Sequence, residues 1–259
     1  MASPRSVREG DENKPIYAVW ELTLRCDHAC AHCGSRAGPY QRPEELTKEQ
    51  AYEVCDALAR LGTREVTLIG GEAYLSPLCM PVIARLREHG IRVSMQTGGL
   101  GFTPSRAKRL KDAGLAAVGF SIDGPPEVHD VLRARPGSWI AATRGLENAR
   151  DAGLAVTANS QLNRLNMDHL AATAAFLEER GTRIWRCQVT VPMGRAADRP
   201  EWILEPWMIP PIIDELAALQ LAYAQKGTAA GLPPSRLFDI QLANNLGYYG
   251  PHEVLLRSR

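Results

Sequence analysis

Short apolar runs alternate with amphipathic segments along the chain. The first apolar run, residues 16–24, is rich in β-branched and aromatic residues, which is typical of a strand. A helix is predicted next, because Thr47 and Gln50 form a T-x-x-Q capping box and apolar residues recur at helical spacing up to Gly62. The same alternation continues and predicts further strands at 65–69, 92–96, 117–122, 155–160 and 183–190.

The segments between these strands have the periodicity of helices. They predict helices at 77–88, 104–114, 141–152, 168–179 and 211–225. The strands begin about 25 to 50 residues apart, which is the length that a crossover between parallel strands needs. We therefore expect an α/β fold, a partial (β/α)6 TIM-like barrel with parallel strands, and sites at the carboxyl ends of those strands.

Composition and charge exclude several classes of protein. With 259 residues, of which 45% are hydrophobic and 23% charged, the chain has the composition of a folded domain and not of a disordered one. Its net charge of +1 gives no long-range attraction to nucleic acid or to an anionic membrane. No apolar run reaches the roughly 20 residues of a membrane span, and the polar start is unlike a signal peptide, so we expect a cytoplasmic protein.

Three of the six cysteines cluster in the loop after the first strand. Disulfides are rare in a reducing compartment, so Cys26, Cys30 and Cys33 indicate a metal site. Three thiolates could hold three irons of a 4Fe-4S cluster and leave the fourth iron open, whereas structural zinc would take His28 or His32 as its fourth ligand. The other cysteines lie in apolar contexts and are predicted to be core residues: Cys55, Cys79 and Cys187.

The C-x3-C-x2-C spacing after the first strand of a partial barrel resembles the radical S-adenosylmethionine superfamily. The resemblance implies that Cys26, Cys30 and Cys33 bind a 4Fe-4S cluster and that S-adenosylmethionine is the second cofactor. It also implies an external one-electron reductant such as flavodoxin or ferredoxin.

A glycine-rich element follows the second strand. Gly70, Gly71 and Glu72 resemble the family element that contacts the methionine amino group, where glycine admits a close approach and a carboxylate favours an ammonium group. After the third strand, Gly98 departs from the Thr-Asn-Gly sequence that is common in the family at this place.

The run from Ser121 to Arg133 resembles the equivalent segment of peptide-modifying members, including anaerobic sulfatase-maturating enzymes. The resemblance implies that the Ser121 hydroxyl and the planar fork of Arg133 bind the methionine carboxylate. In those enzymes the region of Asp123 faces the substrate.

Further contacts with the cofactor are implied on three other loops. His32, before the third cysteine, stands where an aromatic residue lies against the adenine, although it could also be a solvated loop residue. Gln161 is a candidate ribose contact. Met193, in a loop that resembles that of maturases with the extension called SPASM, is a candidate adenine contact or an ordinary core residue.

The resemblance implies reductive cleavage of S-adenosylmethionine to a 5′-deoxyadenosyl radical, which abstracts hydrogen from a substrate. The expected substrate is a ribosomally made peptide, and no catalytic residue is assigned. Two alternatives stay open, modification of a tetrapyrrole or nucleoside and a non-catalytic metal-stabilised binding module.

The sequence also predicts a division into domains. We expect a polar tail at 1–15 and the radical S-adenosylmethionine barrel at 16–226. At 227–259 we expect an extension that begins an auxiliary-cluster domain of the SPASM or twitch type, with 227–234 as a linker.

Overall fold

The computed structural model describes residues 7–40, 42–233 and 236–257, except for the side chain of Asn244. Strands and helices alternate through most of these residues. The strands are β1 (Tyr17–Glu21), β2 (Glu65–Ile69), β3 (Arg92–Thr97), β4 (Ala117–Ser121), β5 (Ala155–Leu162), β6 (Ile184–Val189) and β7 (Asp239–Leu242). The helices are α1 (Lys48–Arg60), α2 (Cys79–Glu88), α3 (Pro104–Asp112), α4 (Pro126–Leu132), α5 (Ser138–Asp151), α6 (Leu170–Glu179), α7 (Ile209–Ala229) and α8 (Glu253–Arg257).

The strand order in the sheet follows the order along the chain, from β1 to β7. The pairs β1–β2, β2–β3, β5–β6 and β6–β7 are all parallel. The register aligns Glu21 with Ile69, so that β1 and β2 end at the same level. Parallel strands in sequential order with alternating helices confirm the predicted fold class, an α/β partial TIM-like barrel.

The chain forms two compact units. Unit one takes its residues from 1–29, 37–119 and 144–155, and unit two from 30–36, 120–143 and 156–259. In unit one, Val66 and Leu68 of β2 are fully buried, as expected for a strand between two parallel neighbours. In unit two, β5 alternates buried with more exposed positions, and the indole of Trp185 on β6 is fully buried.

Local sequence signals set the helix ends as predicted. Thr47 and Gln50 form the reciprocal capping box of α1. Gly62 and Gly114 follow α1 and α3 with φ angles of 83° and 102°, a left-handed conformation that glycine adopts without a Cβ penalty.

Most predicted bounds are shifted by up to three residues, and three elements differ more from the sequence prediction. The structure adds β7 as a seventh strand paired with β6, and it adds the short helix α4. Helix α7 continues through Ala229, three residues into the segment expected to be a linker. Residues 1–6 of the expected tail and 234, 235, 258 and 259 of the expected extension lie outside the described residues. In the described ranges, no helix combines the length and apolar character needed to cross a bilayer.

Candidate cofactor site

The segment that carries the first clustered cysteine is held by backbone hydrogen bonds in unit one. The Cys26 N–H donates to the Gly38 carbonyl over 2.6 Å, and the Gly38 N–H donates to the Leu24 carbonyl over 3.1 Å. Arg25 and Gly38 form an isolated parallel bridge. These bonds fix Cys26 just beyond the carboxyl end of β1, the position at which the fold predicts ligand sites.

Gly70 and Gly71, at the carboxyl end of β2, lie against this same segment. A Cβ on Gly70 would come within 2.7 Å of the Thr23 carbonyl oxygen, and one on Gly71 within 2.5 Å of the Leu24 and Arg25 carbonyl oxygens. The Gly71 N–H donates to the Thr23 carbonyl over 2.7 Å. The glycines therefore allow the end of β2 to pack closely against the cysteine-bearing segment. This packing role is separate from the contact with the cofactor that the sequence predicts.

Glu72 is buried beneath the carboxyl end of β3. Its Oε2 accepts hydrogen bonds from the Thr97 hydroxyl and the Gly98 N–H, both over 2.9 Å, whereas its buried Oε1 has no partner among the described residues. Burial raises the pKa of Glu72 to about 8, and the nearby Asp27 charge adds to the rise. The Glu72 side chain is therefore mostly protonated at neutral pH, and a cationic group beside Oε1 would favour its ionisation.

Asp27 and His28 form a second polar group in unit one. His28 Nδ1 lies 3.1 Å from Asp27 Oδ1, and the Tyr74 hydroxyl donates to Asp27 Oδ2 over 3.2 Å. Ligand atoms of Cys26, Asp27 and His28 lie within 4.8 Å of one another, a grouping able to hold a metal ion. A Cβ at Gly98 would come within 2.9 Å of the His28 ring, so the imidazole fills the space that the family's usual asparagine would need.

Cys30 and Cys33 lie in unit two, where the loop after β6 donates hydrogen bonds to their backbone carbonyl groups. The Cys33 N–H donates to the Cys30 carbonyl over 3.2 Å, which turns the chain between the two thiols. Arg195 then binds both residues, since its Nε donates to the Cys30 carbonyl over 2.7 Å and its N–H to the Cys33 carbonyl over 2.9 Å. Gly194 permits this approach, because a Cβ there would come within 2.2 Å of the Gly34 carbonyl oxygen.

Arg133 joins Cys30 to a buried carboxylate in unit two. Its Nε and Nη2 lie 2.8 and 2.5 Å from Oδ2 of Asp123, and its Nη1 lies 3.7 Å from the Cys30 Sγ. Burial raises the pKa of the Cys30 thiol, and the Arg133 charge opposes that rise. A cation beside a sulfur favours the thiolate form that metal binding requires.

His32 is buried in unit two, so the alternative of a solvated loop residue is wrong. Its Nδ1 lies 2.9 Å from the Leu132 carbonyl oxygen, and its Nε2 lies 3.6 Å from Asp123 Oδ2. Burial lowers the pKa of His32 below its usual value. Both ring nitrogens therefore face acceptors, which leaves neither to act as a zinc ligand without rearrangement.

The remaining predicted cofactor residues occupy different environments in unit two. Ser121 ends β4 and is half-buried, as is Gln161 near the end of β5, whose N–H donates to Asp123 Oδ1 over 2.9 Å. Met193 is 60% exposed, which excludes the alternative of an ordinary core residue.

The scattered cysteines lie in the core, as predicted. Burial raises the pKa of Cys55 to about 11, that of Cys79 to about 12, and that of Cys187 well above its usual value. None of the six cysteines forms a disulfide. These three thiols are dispersed along the chain, whereas Cys26, Cys30 and Cys33 share one short loop, so the clustered cysteines are the ones suited to bind a metal together.

Sequence reasoning missed two contributors to the site. Arg195 lies in the loop after β6, in which the resemblance indicated a role for Met193 and none for Arg195. His129 is buried, and its Nδ1 accepts the Asp123 N–H over 3.1 Å. Its neighbour Asp130 does cap a helix, because it accepts the N–H groups of Gly137 and Trp139 at the start of α5.

Comparison with known families agrees with this arrangement. The profile of the Radical SAM superfamily matches residues 20–177, which is more than half of the chain. The chain belongs to this superfamily. The match covers the three clustered cysteines and the segments that contain Glu72 and Arg133, and it confirms the resemblance that the cysteine spacing indicated.

Curated relatives of this Radical SAM protein include heme synthases and mycofactocin maturases. The AdoMet-dependent heme synthase of Nitratidesulfovibrio vulgaris is 30% identical over 202 residues, which are 78% of this chain and 55% of the relative. Mycofactocin maturase MftC of Mycolicibacterium smegmatis is 34% identical over 201 residues, which are 75% of this chain and 50% of the relative. The chain spans about half the length of these relatives.

Solved structures show the same fold. Streptococcus suis SuiB bound to S-adenosylmethionine superposes with a TM-score of 0.70 at 13% identity, over 92% of this chain and 53% of SuiB. SuiB bound to the precursor peptide SuiA gives a TM-score of 0.70 at 12% identity, over 92% of this chain and 51% of SuiB. At this identity the likeness supports the fold class alone.

Proposed function

We propose that this chain is the catalytic part of a radical S-adenosylmethionine enzyme. Cys26, Cys30 and Cys33 hold a 4Fe-4S cluster and leave one iron open to chelate S-adenosylmethionine. The observation that carries the proposal is the C-x3-C-x2-C spacing after β1 within a chain of this superfamily. When bound, the cluster supplies the electron that cleaves S-adenosylmethionine to methionine and a 5′-deoxyadenosyl radical.

The environment of the cysteines fits an iron-sulfur cluster. Two of their sulfurs already face N–H donors, since the His28 N–H lies 3.4 Å from the Cys26 Sγ and Arg133 Nη1 lies 3.7 Å from the Cys30 Sγ. Hydrogen bonds to sulfur stabilise thiolates and set the reduction potential of a cluster. Arg195 fixes the backbone of Cys30 and Cys33, which limits the rearrangement that cluster binding needs.

The protein's own residues bind and orient the second cofactor. We assign the methionine carboxylate to Arg133 and Ser121. We assign the methionine ammonium to the Gly70–Glu72 turn, where the buried Oε1 of Glu72 has no hydrogen-bond partner within the part of the chain that the structure describes. A bound ammonium would lower the raised pKa of Glu72 and satisfy this oxygen.

The adenosine half is assigned to residues of unit two. Gln161 binds the ribose, and His32 and Met193 bind the adenine. The exposure of Met193 supports this assignment. Its thioether lies on the same loop as Arg195, which binds Cys30 and Cys33, and it is free to pack against a flat ring. Burial keeps His32 neutral, as suits a ring that stacks on an uncharged base.

We propose a ribosomally made peptide as the substrate. Support comes from the fold shared with SuiB, solved with its precursor peptide SuiA, and from the similarity to the mycofactocin maturase. The similarity to an AdoMet-dependent heme synthase favours a second candidate, modification of a tetrapyrrole. Mass spectrometry of a short peptide encoded beside this gene, coexpressed with the enzyme, separates the two, because only a peptide substrate would change in mass.

We further propose a cytoplasmic location and an external one-electron donor such as flavodoxin or ferredoxin. We also propose that residues 16–226 form the barrel and that residues 227–259 begin an auxiliary-cluster domain.

Iron, zinc and sulfide analysis of anaerobically reconstituted protein tests the metal centre. We expect about four irons and four sulfides per chain. The Cys30→Ala variant is expected to lose them, whereas Cys55→Ala, a matched loss of a buried core thiol, is expected to keep them. About one zinc with no sulfide in the wild-type protein would contradict the proposal and favour the metal-stabilised binding module.

A further inference from the structure

Asp123, just beyond β4, is a buried carboxylate of the site in unit two, and both of its oxygens accept hydrogen bonds. Its side chain is 0% exposed. Its Oδ1 accepts the Gln161 N–H over 2.9 Å, and its Oδ2 accepts Nε and Nη2 of Arg133. It therefore bridges two residues that the proposed function assigns to S-adenosylmethionine, and the inference below rests on that function.

The backbone of Asp123 is fixed as firmly as its side chain. Its N–H donates to His129 Nδ1 over 3.1 Å, and its carbonyl accepts Nδ2 of Asn166 over 3.0 Å. Both partners are buried. Because hydrogen bonds fix both the backbone and the Oδ1 atom of Asp123, its carboxylate has little freedom to move. The orientation of Arg133 is therefore set by the carboxylate.

The guanidinium of Arg133 is consequently presented in one orientation. Arginine carries five N–H groups in a planar fork. Asp123 takes the side edge, which consists of Nε and Nη2, and the Cys30 Sγ takes one direction of Nη1. The terminal edge of the fork consists of the outer N–H groups of Nη1 and Nη2, whose parallel donors match the two oxygens of a carboxylate.

We propose that Asp123 is a positioning residue that holds Arg133 so that its terminal edge binds the carboxylate of S-adenosylmethionine beside Cys30. The residue does not touch the ligand. Its charge acts on binding through Arg133 and therefore on the carboxylate, whereas its contact with the Gln161 N–H needs only an oxygen acceptor, which asparagine also has.

The charges around Asp123 are consistent with a fixed ion pair. Burial acts to raise the pKa of Asp123, but the Arg133 charge outweighs it, and the hydrogen bond from the Gln161 N–H acts in the same direction, which leaves the pKa at about 2. The pair is therefore ionised at neutral pH, and Arg133 keeps its charge in a buried position where an unpaired guanidinium would be costly.

The test compares two ligands. Equilibrium binding of S-adenosylmethionine and of its decarboxylated analogue is measured with anaerobic, cluster-loaded wild-type protein and with Asp123→Asn. We expect the substitution to raise the dissociation constant for S-adenosylmethionine by about tenfold or more, because a well-oriented charged hydrogen bond is lost. The constant for the decarboxylated analogue is expected to change by less than about threefold, because that ligand makes no demand on Arg133.

Two controls isolate the effect. Asp130→Asn removes the same charge from the same segment, but Asp130 binds the start of α5 and not Arg133, so both dissociation constants are expected to stay unchanged. Asp123→Ser, whose hydroxyl can still accept the Gln161 N–H, is a second variant should the asparagine variant fail to accumulate.

Each other outcome is decisive. An equal loss of affinity for both ligands, an unchanged affinity, or a gain for S-adenosylmethionine would overturn the positioning role while leaving the proposed function intact. Failure of both Asp123 variants to yield folded, cluster-loaded protein would assign the residue to the fold and overturn it too. Absence of S-adenosylmethionine binding by the loaded wild-type protein would overturn the proposed function itself.

Discussion

At the scale of single residues, the site is shaped by atoms that are missing as well as by those present. Gly70 and Gly71 have no side chain where the carbonyl oxygens of the cysteine-bearing segment approach most closely. Glu72, the next residue, is buried with one oxygen without a partner among the described residues. The same turn therefore packs against the cysteine-bearing segment through its glycines and offers a buried carboxyl group at Glu72. Substitution of a glycine is expected to change cluster binding, and substitution of Glu72 is expected to change the pH dependence of stability.

Gly71→Ala is expected to reduce the iron content of reconstituted protein to less than about half of the wild-type value, because the new Cβ would displace the segment that holds Cys26. Gly90→Asn is the control, since a Cβ there meets nothing within 4 Å and asparagine tolerates its φ of 73°. Iron analysis of both variants checks this, and wild-type iron in Gly71→Ala would show that the close approach is not needed.

Glu72 predicts a dependence of stability on pH. Its pKa rises from 4.5 to about 8 on folding, so the native state holds a proton that the unfolded chain releases. The stability linked to this proton is complete below pH 4.5 and is lost as the pH rises through about 8.

Glu72→Gln is expected to remove this dependence, because the amide stays neutral. Between about pH 6 and about pH 8, the free energy of unfolding of the wild-type protein is expected to fall by about 2 kcal/mol relative to that of the variant. Urea unfolding of the cluster-free protein measures the difference. The exposed Glu49→Gln variant is expected to follow the wild type, and a parallel course of wild type and Glu72→Gln would contradict the raised pKa.

At the scale of elements, loops at the carboxyl ends of strands supply the chemistry and the strands supply the positions. The loop after β6 shows this most directly, because Arg195 donates hydrogen bonds to the carbonyl groups of Cys30 and Cys33, and Gly194 leaves room for that approach. The grip combines one side-chain and one backbone hydrogen bond from a single residue. It holds the two ligands irrespective of what they bind.

Arg195→Ala is expected to speed the loss of iron to a chelator by about tenfold, because a charged hydrogen bond to the Cys30 carbonyl is removed. Arg199→Ala, which removes an arginine that packs on the Trp202 ring, is expected to lose iron at the wild-type rate. The absorbance decay of the cluster under anaerobic chelation provides the rates. Equal rates in all three proteins would mean that the grip contributes nothing to retention.

The sequence predicted most elements, and the failures have physical causes. Strand β2 has the predicted bounds, because a short run rich in β-branched residues between two helical patterns indicates a strand. Helix α4 was missed because Pro125 and Pro126 indicate a turn, although proline is also well suited to a first helical position. Strand β7 has only four residues, and its alternation of Asp239 and Gln241 with Ile240 and Leu242 is too short a signal without its partner β6.

At the scale of the whole molecule, the candidate site combines residues distant in the chain. The three cysteines could be predicted because their chemistry is concentrated in one short loop. The ion pair of Asp123 with Arg133 spans ten residues and the contact of Arg195 with Cys30 spans 165, and neither leaves a periodic signal. Such contacts follow from the fold, so the sequence could indicate the candidate residues but not their partners.

The central claim is that this chain cleaves S-adenosylmethionine reductively at a cluster held by three cysteines. The most direct measurement is the formation of 5′-deoxyadenosine by anaerobically reconstituted protein with dithionite and S-adenosylmethionine. We expect product from the wild-type protein and from Cys55→Ala, and none from Cys30→Ala, whose circular dichroism is expected to match the wild type. Equal product from Cys30→Ala, or no product from wild-type protein that contains iron and sulfide, would contradict the account.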